Sequence, residues 1–165
     1  MSAHRFHPTI LRAYDIRGIF EDTLTTDDAF AIGLSFINIQ KQRGLGNEVT
    51  VGRDGRLSSP ALAAALIDGL VAGGAQVSDI GCGPTPMLYF AAHELGSGGA
   101  IQVTGSHNPP THNGFKMVMG GLSFFGADIE ELGRVSAAGP DRADNGGVVS
   151  RAIEAALSLI HISEP

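Results

Sequence analysis

The sequence predicts an α/β fold, with a mixed, mainly parallel sheet flanked by helices. Three observations carry that expectation. Short apolar runs alternate with helix-period segments of about 10–15 residues, the pattern of strand–helix–strand units. The 23 glycines fall mostly at joints between periodic segments, as tight turns require. With 165 residues, 43% hydrophobic and 17% charged, the chain suits one domain with a real core and falls outside the disordered class.

The elements follow in order. Asp27 to Arg43 reads as a helix, with Thr26 or Asp27 as N-cap and Gly44 just past its end. Phe30, Leu34 and Ile37 recur at helical spacing, and Ile32, Phe36 and Ile39 widen the apolar face. Glu48 to Gly52 is a short strand. Ser58-Ser59-Pro60 opens a second helix, since serine caps and proline suits the first turn. Its stripe of Leu62, Leu66, Gly69, Leu70 and Gly73 predicts close packing against something flat. Gln76 to Ile80 is the next strand, and the turn Gly81 to Pro84 leads to a helix near Thr85 to Leu95. Ala100 to Thr104 and Phe115 to Met119 are the third and fourth strands, separated by a polar loop. Asp128 to Val135 forms one more short helix, and Pro140 to Gly147 reads as a linker or long turn. Ligands in such folds gather beyond the carboxyl ends of strands. The two most unusual loops, after Gly52 and after Val103, both follow strands.

Bulk chemistry excludes several classes. A formal charge of −6 argues against a nucleic-acid binder, which needs clustered Lys and Arg. No apolar run approaches the roughly 18 residues of a membrane span. Met1 to Pro8 lacks a basic region followed by an apolar stretch, so a cytoplasmic location is expected. The single cysteine, Cys82, is read as a small buried apolar residue in a reducing compartment. Six histidines without metal-ligand spacing argue against zinc.

Thr104-Gly105-Ser106-His107-Asn108-Pro109-Pro110 is the most informative stretch. Gly105 lets the backbone bend before the serine, and the two prolines stiffen the exit. A hydroxyl on such a turn is placed to be a nucleophile. Asn113-Gly114-Phe115-Lys116 then brings a cation back toward the same end of the sheet. A hydrolase elbow is not indicated: Gly-x-Ser-x-Gly is absent, and in an extended segment His107 points away from Ser106. The plainer alternative is a turn whose serine and asparagine cap their own backbone. Arg53-Asp54 reads as a local ion pair shaping its loop, and His112 as a solvent-facing residue.

Thr104 to Pro109 resembles the phosphoserine loop of the α-D-phosphohexomutases, written T-A/G-S-H-N-P. Three further segments agree in order and spacing. Tyr14-Asp15-Ile16-Arg17-Gly18 resembles the family's N-terminal active-site segment. Gly52-Arg53-Asp54-Gly55-Arg56 resembles its second fingerprint, and Asn113-Gly114-Phe115-Lys116 the strand carrying its lysine. The similarity runs from about Phe6 to the mid-130s. It implies the fold of the family's first domain, with Ser106 carrying the phosphoryl group passed to a hexose phosphate and regained from a hexose 1,6-bisphosphate. It further implies His107 and Lys116 in proton transfer and charge stabilisation, and Tyr14 and Arg17 binding substrate or phosphate. Mg²⁺ would take one oxygen from phosphorylated Ser106. The first segment resembles the phosphomannomutase/phosphoglucomutase subgroup more than phosphoglucosamine mutase.

The family's D-G-D-x-D-R metal loop, sugar-recognition loop and terminal phosphate-binding domain have no counterpart here. The expected division is a domain over 1–138, a linker toward a missing second domain over 139–156, and a non-native tail over 157–165. That tail resembles translated sequencing-adapter DNA. Little or no turnover is expected from the chain alone, and the full-length protein is expected to be a monomer without nucleic-acid or membrane partners. The alternative reading is a free-standing module that grips a phosphorylated ligand without turnover.

Overall fold

The computed structural model describes residues 3–151. The tail expected over 157–165, and the end of the linker before it, lie outside the described residues. The order of elements is β1 (Ile16–Ile19), α1 (Thr26–Gln42), β2 (Glu48–Arg53), α2 (Ser59–Ala72), β3 (Gln76–Cys82), α3 (Thr85–Glu94), β4 (Gly99–Val103), β5 (His112–Met119), β6 (Leu122–Ser123), α4 (Ala127–Ala138) and β7 (Val148–Arg151). No helix among the described residues is long and apolar enough to cross a membrane.

The strands form one mixed sheet in the order β1-β5-β4-β2-β3-β7, with β6 paired to β5. The β4-β2-β3-β7 half is parallel, and β5 runs antiparallel to β1, β4 and β6. The chain steps outward from β2 to β3, then back across β2 to β4. Right-handed crossovers in opposite directions put their helices on opposite faces. The core divides accordingly. Ile32, Phe36 and Ile37 of α1 and Leu62, Leu66 and Leu70 of α2 join Val49, Val51, Ile101, Val103 and Phe115 of the sheet on one side. Leu88 and Ala91 of α3 meet Ile80 and Ala100 on the other.

Thr25 caps α1, ahead of both expected positions, Thr26 and Asp27. Its hydroxyl accepts from the Asp28 N–H, and the Asp28 carboxylate accepts the Thr25 N–H at 2.8 Å. This reciprocal box fixes the start, because Asp28 stands at the third helical position. Ser58 precedes α2 but makes no side-chain cap. Its hydroxyl accepts instead from the Asn113 amide at 2.8 Å.

The glycine stripe of α2 meets a helix, where a flat surface was expected. A Cβ on Gly69 would land on the Phe30 carbonyl, one on Gly33 would strike the Leu66 carbonyl, and one on Gly73 would enter the Ile37 side chain. Glycines let α1 and α2 cross with backbones nearly touching, while the leucines of the stripe enter the core.

Three strands had no counterpart in the sequence reading. In β1 the Arg17-Gly18 pair interrupts the apolar pattern, β6 is two residues long, and every residue of β7 is exposed. β7 lies within the stretch read as a connection and runs parallel to β3. Cys82 was expected to be buried and is exposed. It is the last residue of β3, at the edge of the turn toward α3.

Candidate functional site

β2 and β4 are parallel neighbours whose chains depart in opposite directions, so a crevice opens beyond their carboxyl ends. The two loops that fill it are bonded together. The Asp54 N–H donates to the Val103 carbonyl at 2.9 Å. The Asp54 carboxylate accepts the Gly105 N–H at 2.9 Å, the Arg56 N–H at 3.0 Å and the Ser59 hydroxyl. Burial pushes the Asp54 pKa up. The bonds from Ser59, Arg56, Gly105 and Thr104 outweigh it and hold the carboxyl below its ordinary value.

Arg56 is the second organiser. Its Nη1 donates to the carbonyls of Pro109 at 2.6 Å and His112 at 3.0 Å, and its Nη2 to those of Ser106 at 3.1 Å and Asn108 at 2.7 Å. Its Nε lies 3.3 Å from Asp54 Oδ2. The ion pair of this loop is therefore Asp54–Arg56, a correction to the expected Arg53–Asp54 pair. Arg53 only reaches the Asp54 carbonyl, at 3.4 Å. Adjacent side chains diverge, whereas a tight turn brings residues two apart together.

Ser106 is exposed and has φ +52°. A left-handed serine is uncommon and signals a constrained turn. Its N–H donates to the Thr104 hydroxyl at 3.0 Å, and the Asn108 side chain donates to the Gly105 carbonyl at 3.1 Å. The turn thus caps itself through Thr104 and Asn108, and the Ser106 hydroxyl takes no part. The hydroxyl instead lies 3.3 Å from His107 Nδ1. The expected divergence of the two side chains holds for extended backbone only, and the left-handed turn at Ser106 brings them to one side.

Arg17 is 4% exposed, on the strand beside β5. Its Nε and Nη2 grip Asp15 Oδ2 at 3.0 and 2.6 Å, and its Nη1 donates to the Gly105 carbonyl. This guanidinium supports the residue before Ser106 from below. Tyr14 is 82% exposed, and its ring stacks on Phe125 with centroids 6.3 Å apart. Lys116 pairs with Gln102 across β4 and β5. Phe115 and Met117 enter the larger core, so Lys116 points to the opposite face. Its ammonium makes no hydrogen bond or ion pair among the described residues. His112, expected to face solvent, is half-buried, with Nδ1 3.3 Å from the Thr111 hydroxyl. It opens β5 opposite Ile19, and strand pairing covers part of the ring.

The fold therefore gathers Ser106, His107 and Arg17 around one loop. It sets Lys116 on the strand that carries Gly114, whose carbonyl accepts the Thr104 N–H at 2.9 Å. Tyr14 and Lys116 make no hydrogen bond to Ser106. Asp54, Arg56, Asp15 and the fully buried Asn113 were not singled out from sequence as site residues. Their signal lay in the motifs themselves, where polar residues crowd turns that surface solvation alone does not explain.

Mg²⁺ prefers about six oxygen ligands. Among the described residues no group of three or more His, Cys, Asp or Glu side chains stands together. The Asp54 carboxylate at this loop already accepts three hydrogen bonds and pairs with the Arg56 guanidinium. These residues do not make a magnesium site by themselves, and a cation beside Ser106 would draw most of its shell from elsewhere.

A family model described as phosphoglucomutase/phosphomannomutase, alpha/beta/alpha domain I, matches residues 8–139. The chain is 50% identical to a phosphomannomutase/phosphoglucomutase of Pseudomonas aeruginosa over 124 residues, covering 75% of this chain and 27% of that protein. It is 46% identical to a phosphoglucomutase of Neisseria gonorrhoeae over 123 residues, covering 74% of this chain and 26% of that protein. The structure of a phosphoglucomutase/phosphomannomutase family protein from Burkholderia thailandensis superposes with a TM-score of 0.84 at 39% identity, over 95% of this chain and 35% of that one. The chain spans about a quarter of the length of these curated relatives.

Proposed function

Since the chain belongs to the phosphoglucomutase/phosphomannomutase family, we propose that it is the phosphoryl-carrying domain of an enzyme that interconverts hexose 6-phosphate and hexose 1-phosphate, on mannose, glucose or both. The observation that carries this reading is Ser106, an exposed hydroxyl on a left-handed turn whose backbone is tied down on every side.

In the forward half-reaction a sugar hydroxyl attacks the phosphorus of phosphorylated Ser106. The new O–P bond forms on the sugar, the bond to Ser106 Oγ breaks, and the proton lost by the sugar hydroxyl ends on Ser106 Oγ; the return transfer moves a proton the opposite way. The hexose 1,6-bisphosphate then turns over in the site. Its other phosphate passes back to Ser106 Oγ, leaving the isomeric monophosphate. Such transfers depend mainly on positioning and on neutralising charge. His107 Nδ1, 3.3 Å from Oγ, is within reach to shield the oxygen or exchange its proton. Lys116, with no internal partner among the described residues, is free to meet a phosphate oxygen. Arg17 holds the loop through Gly105, and its positive charge, fixed one residue from Ser106, would attract a phosphate carried there. Tyr14 offers an exposed ring to the sugar's side of the cleft. Mg²⁺, when bound to phosphorylated Ser106, would supply charge neutralisation, with its remaining ligands outside this chain.

This reading makes the chain a portion of a longer cytoplasmic, monomeric enzyme and predicts little or no interconversion of hexose phosphates from it alone. One slow transfer onto Ser106, with Mg²⁺ supplied in solution, is expected to be detectable. It is tested by incubating the chain with glucose 1,6-bisphosphate and mapping phosphorylation by peptide mass spectrometry. Label on the Ser106 peptide, absent from Ser106→Ala, supports the reading. Equal label in both proteins refutes the site.

A further inference from the structure

We infer that Arg56 is the positioning residue that sets the conformation of the nucleophile, and that its five-donor fork, more than its charge, does so. The inference rests on the phosphoserine reading for its functional meaning. Four backbone carbonyls, those of Ser106, Asn108, Pro109 and His112, converge on the two terminal nitrogens of Arg56, and Nε faces Asp54. The carbonyls span the whole turn from the nucleophile to the start of β5. No other side chain among the described residues grips the carbonyl of Ser106 itself. A left-handed residue turns its carbonyl out of the direction a right-handed or extended one would give it. At Ser106 that redirected oxygen is the one that Arg56 Nη2 holds.

The surroundings fit the fork closely. Gly105 lies flat on the guanidinium, so near that a Cβ there would overlap the Arg56 carbon and Nε. Asp54 engages both partners, pairing with the Arg56 guanidinium, whose Nε lies 3.3 Å away, and accepting the Gly105 N–H. The clamp is thus a closed ring of carboxylate, guanidinium and loop backbone. Lysine offers one nitrogen and three donors, so it cannot bridge two pairs of carbonyls at once. With the clamp broken, Ser106 is released to the ordinary regions of backbone space, and Oγ leaves its place beside His107. A misplacement of about 1 Å costs a transfer step about 100-fold.

The test uses isotope-labelled chain with Arg56→Lys and Arg56→Ala, read by NMR at Ser106 and by amide exchange at Gly105. Both readouts need no phosphoryl donor, so a failure to load Ser106 would count against the proposed function and leave this measurement intact. The expected result is that both variants stay folded, with wild-type sheet resonances and a single cooperative transition in denaturant. The Ser106 Cα and Cβ shifts move from left-handed to averaged values, and Gly105 exchange rises by about tenfold or more. Added guanidinium ion restores the Ser106 shifts in Arg56→Ala, a recovery that lost packing alone would not give. Where the alanine variant does not fold, the lysine variant, which keeps the charge and stem, decides alone. Unchanged Ser106 shifts overturn the inference. So does unfolding of both variants, which would make Arg56 a residue of the whole fold.

Discussion

The carboxylate of Asp54 accepts the N–H of Gly105 at 2.9 Å across 51 positions of sequence, joining the loop after β2 to the residue before Ser106. The same carboxylate takes the Ser59 hydroxyl at the start of α2. One side chain therefore couples the nucleophile's loop to the helix beneath it.

Asp54 gives the loop a pH dependence of definite sign. Its folded pKa lies below the ordinary value of 3.8. A depressed carboxylate contributes stability that is fully present above the unfolded pKa and is lost as pH falls through the folded one. Protection of the Gly105 amide should hold down to about the ordinary aspartate value, after allowance for intrinsic exchange. It should fail only below that value. Protection lost well above it, or insensitive to Asp54→Asn, would contradict the assignment.

Arg17→Lys should loosen the same loop while leaving the sheet intact. The fork that grips Asp15 and the Gly105 carbonyl has no lysine equivalent. Phosphoryl loading of Ser106 is expected to slow by at least about tenfold, with Asp15→Asn showing part of the effect. Loading at the wild-type rate in Arg17→Lys would argue that Arg17 serves only the fold.

The close crossing of α1 and α2 predicts a local intolerance of methyl groups. Gly69→Ala would place Cβ against the Phe30 carbonyl, with no flexible side chain to yield. Overpacking of this kind costs about 1–3 kcal/mol, readable as a lower denaturant midpoint. Gly44→Ala serves as the contrast: open space surrounds it, and the cost there comes from its φ of +70° alone.

Thr25→Ala removes one half of the capping box on α1 and should destabilise the chain by about 1 kcal/mol. Thr26→Ala, at one of the two positions expected to cap the helix, should cost clearly less. Thermal or chemical unfolding of the two variants side by side decides between them.

The helices and the central strands were legible because their apolar periodicity is strong, as in Phe30, Leu34 and Ile37 or Val49 and Val51. β1 was not, since Arg17 is buried by its bonds to Asp15 and Gly105 and so breaks the hydrophobic code of a strand. β7 lacks a buried residue altogether. At the site, the loop of Ser106 could be recognised from its own residues. The clamp could not, because Arg56 and Asp54 act on backbone carbonyls and an N–H about 50 positions away, and backbone partners leave no mark in a sequence. The contact of Ser106 with His107 was hidden for a related reason. It depends on one left-handed φ, and serine does not advertise that conformation as glycine does.

The function proposed for this loop depends on Ser106 carrying a phosphoryl group. The most direct measurement is peptide mapping of the chain after exposure to glucose 1,6-bisphosphate, with Ser106→Ala alongside. A single phosphorylated peptide containing Ser106, absent from the variant, is expected. Phosphorylation elsewhere, or none on Ser106 in a folded wild-type chain, would contradict it.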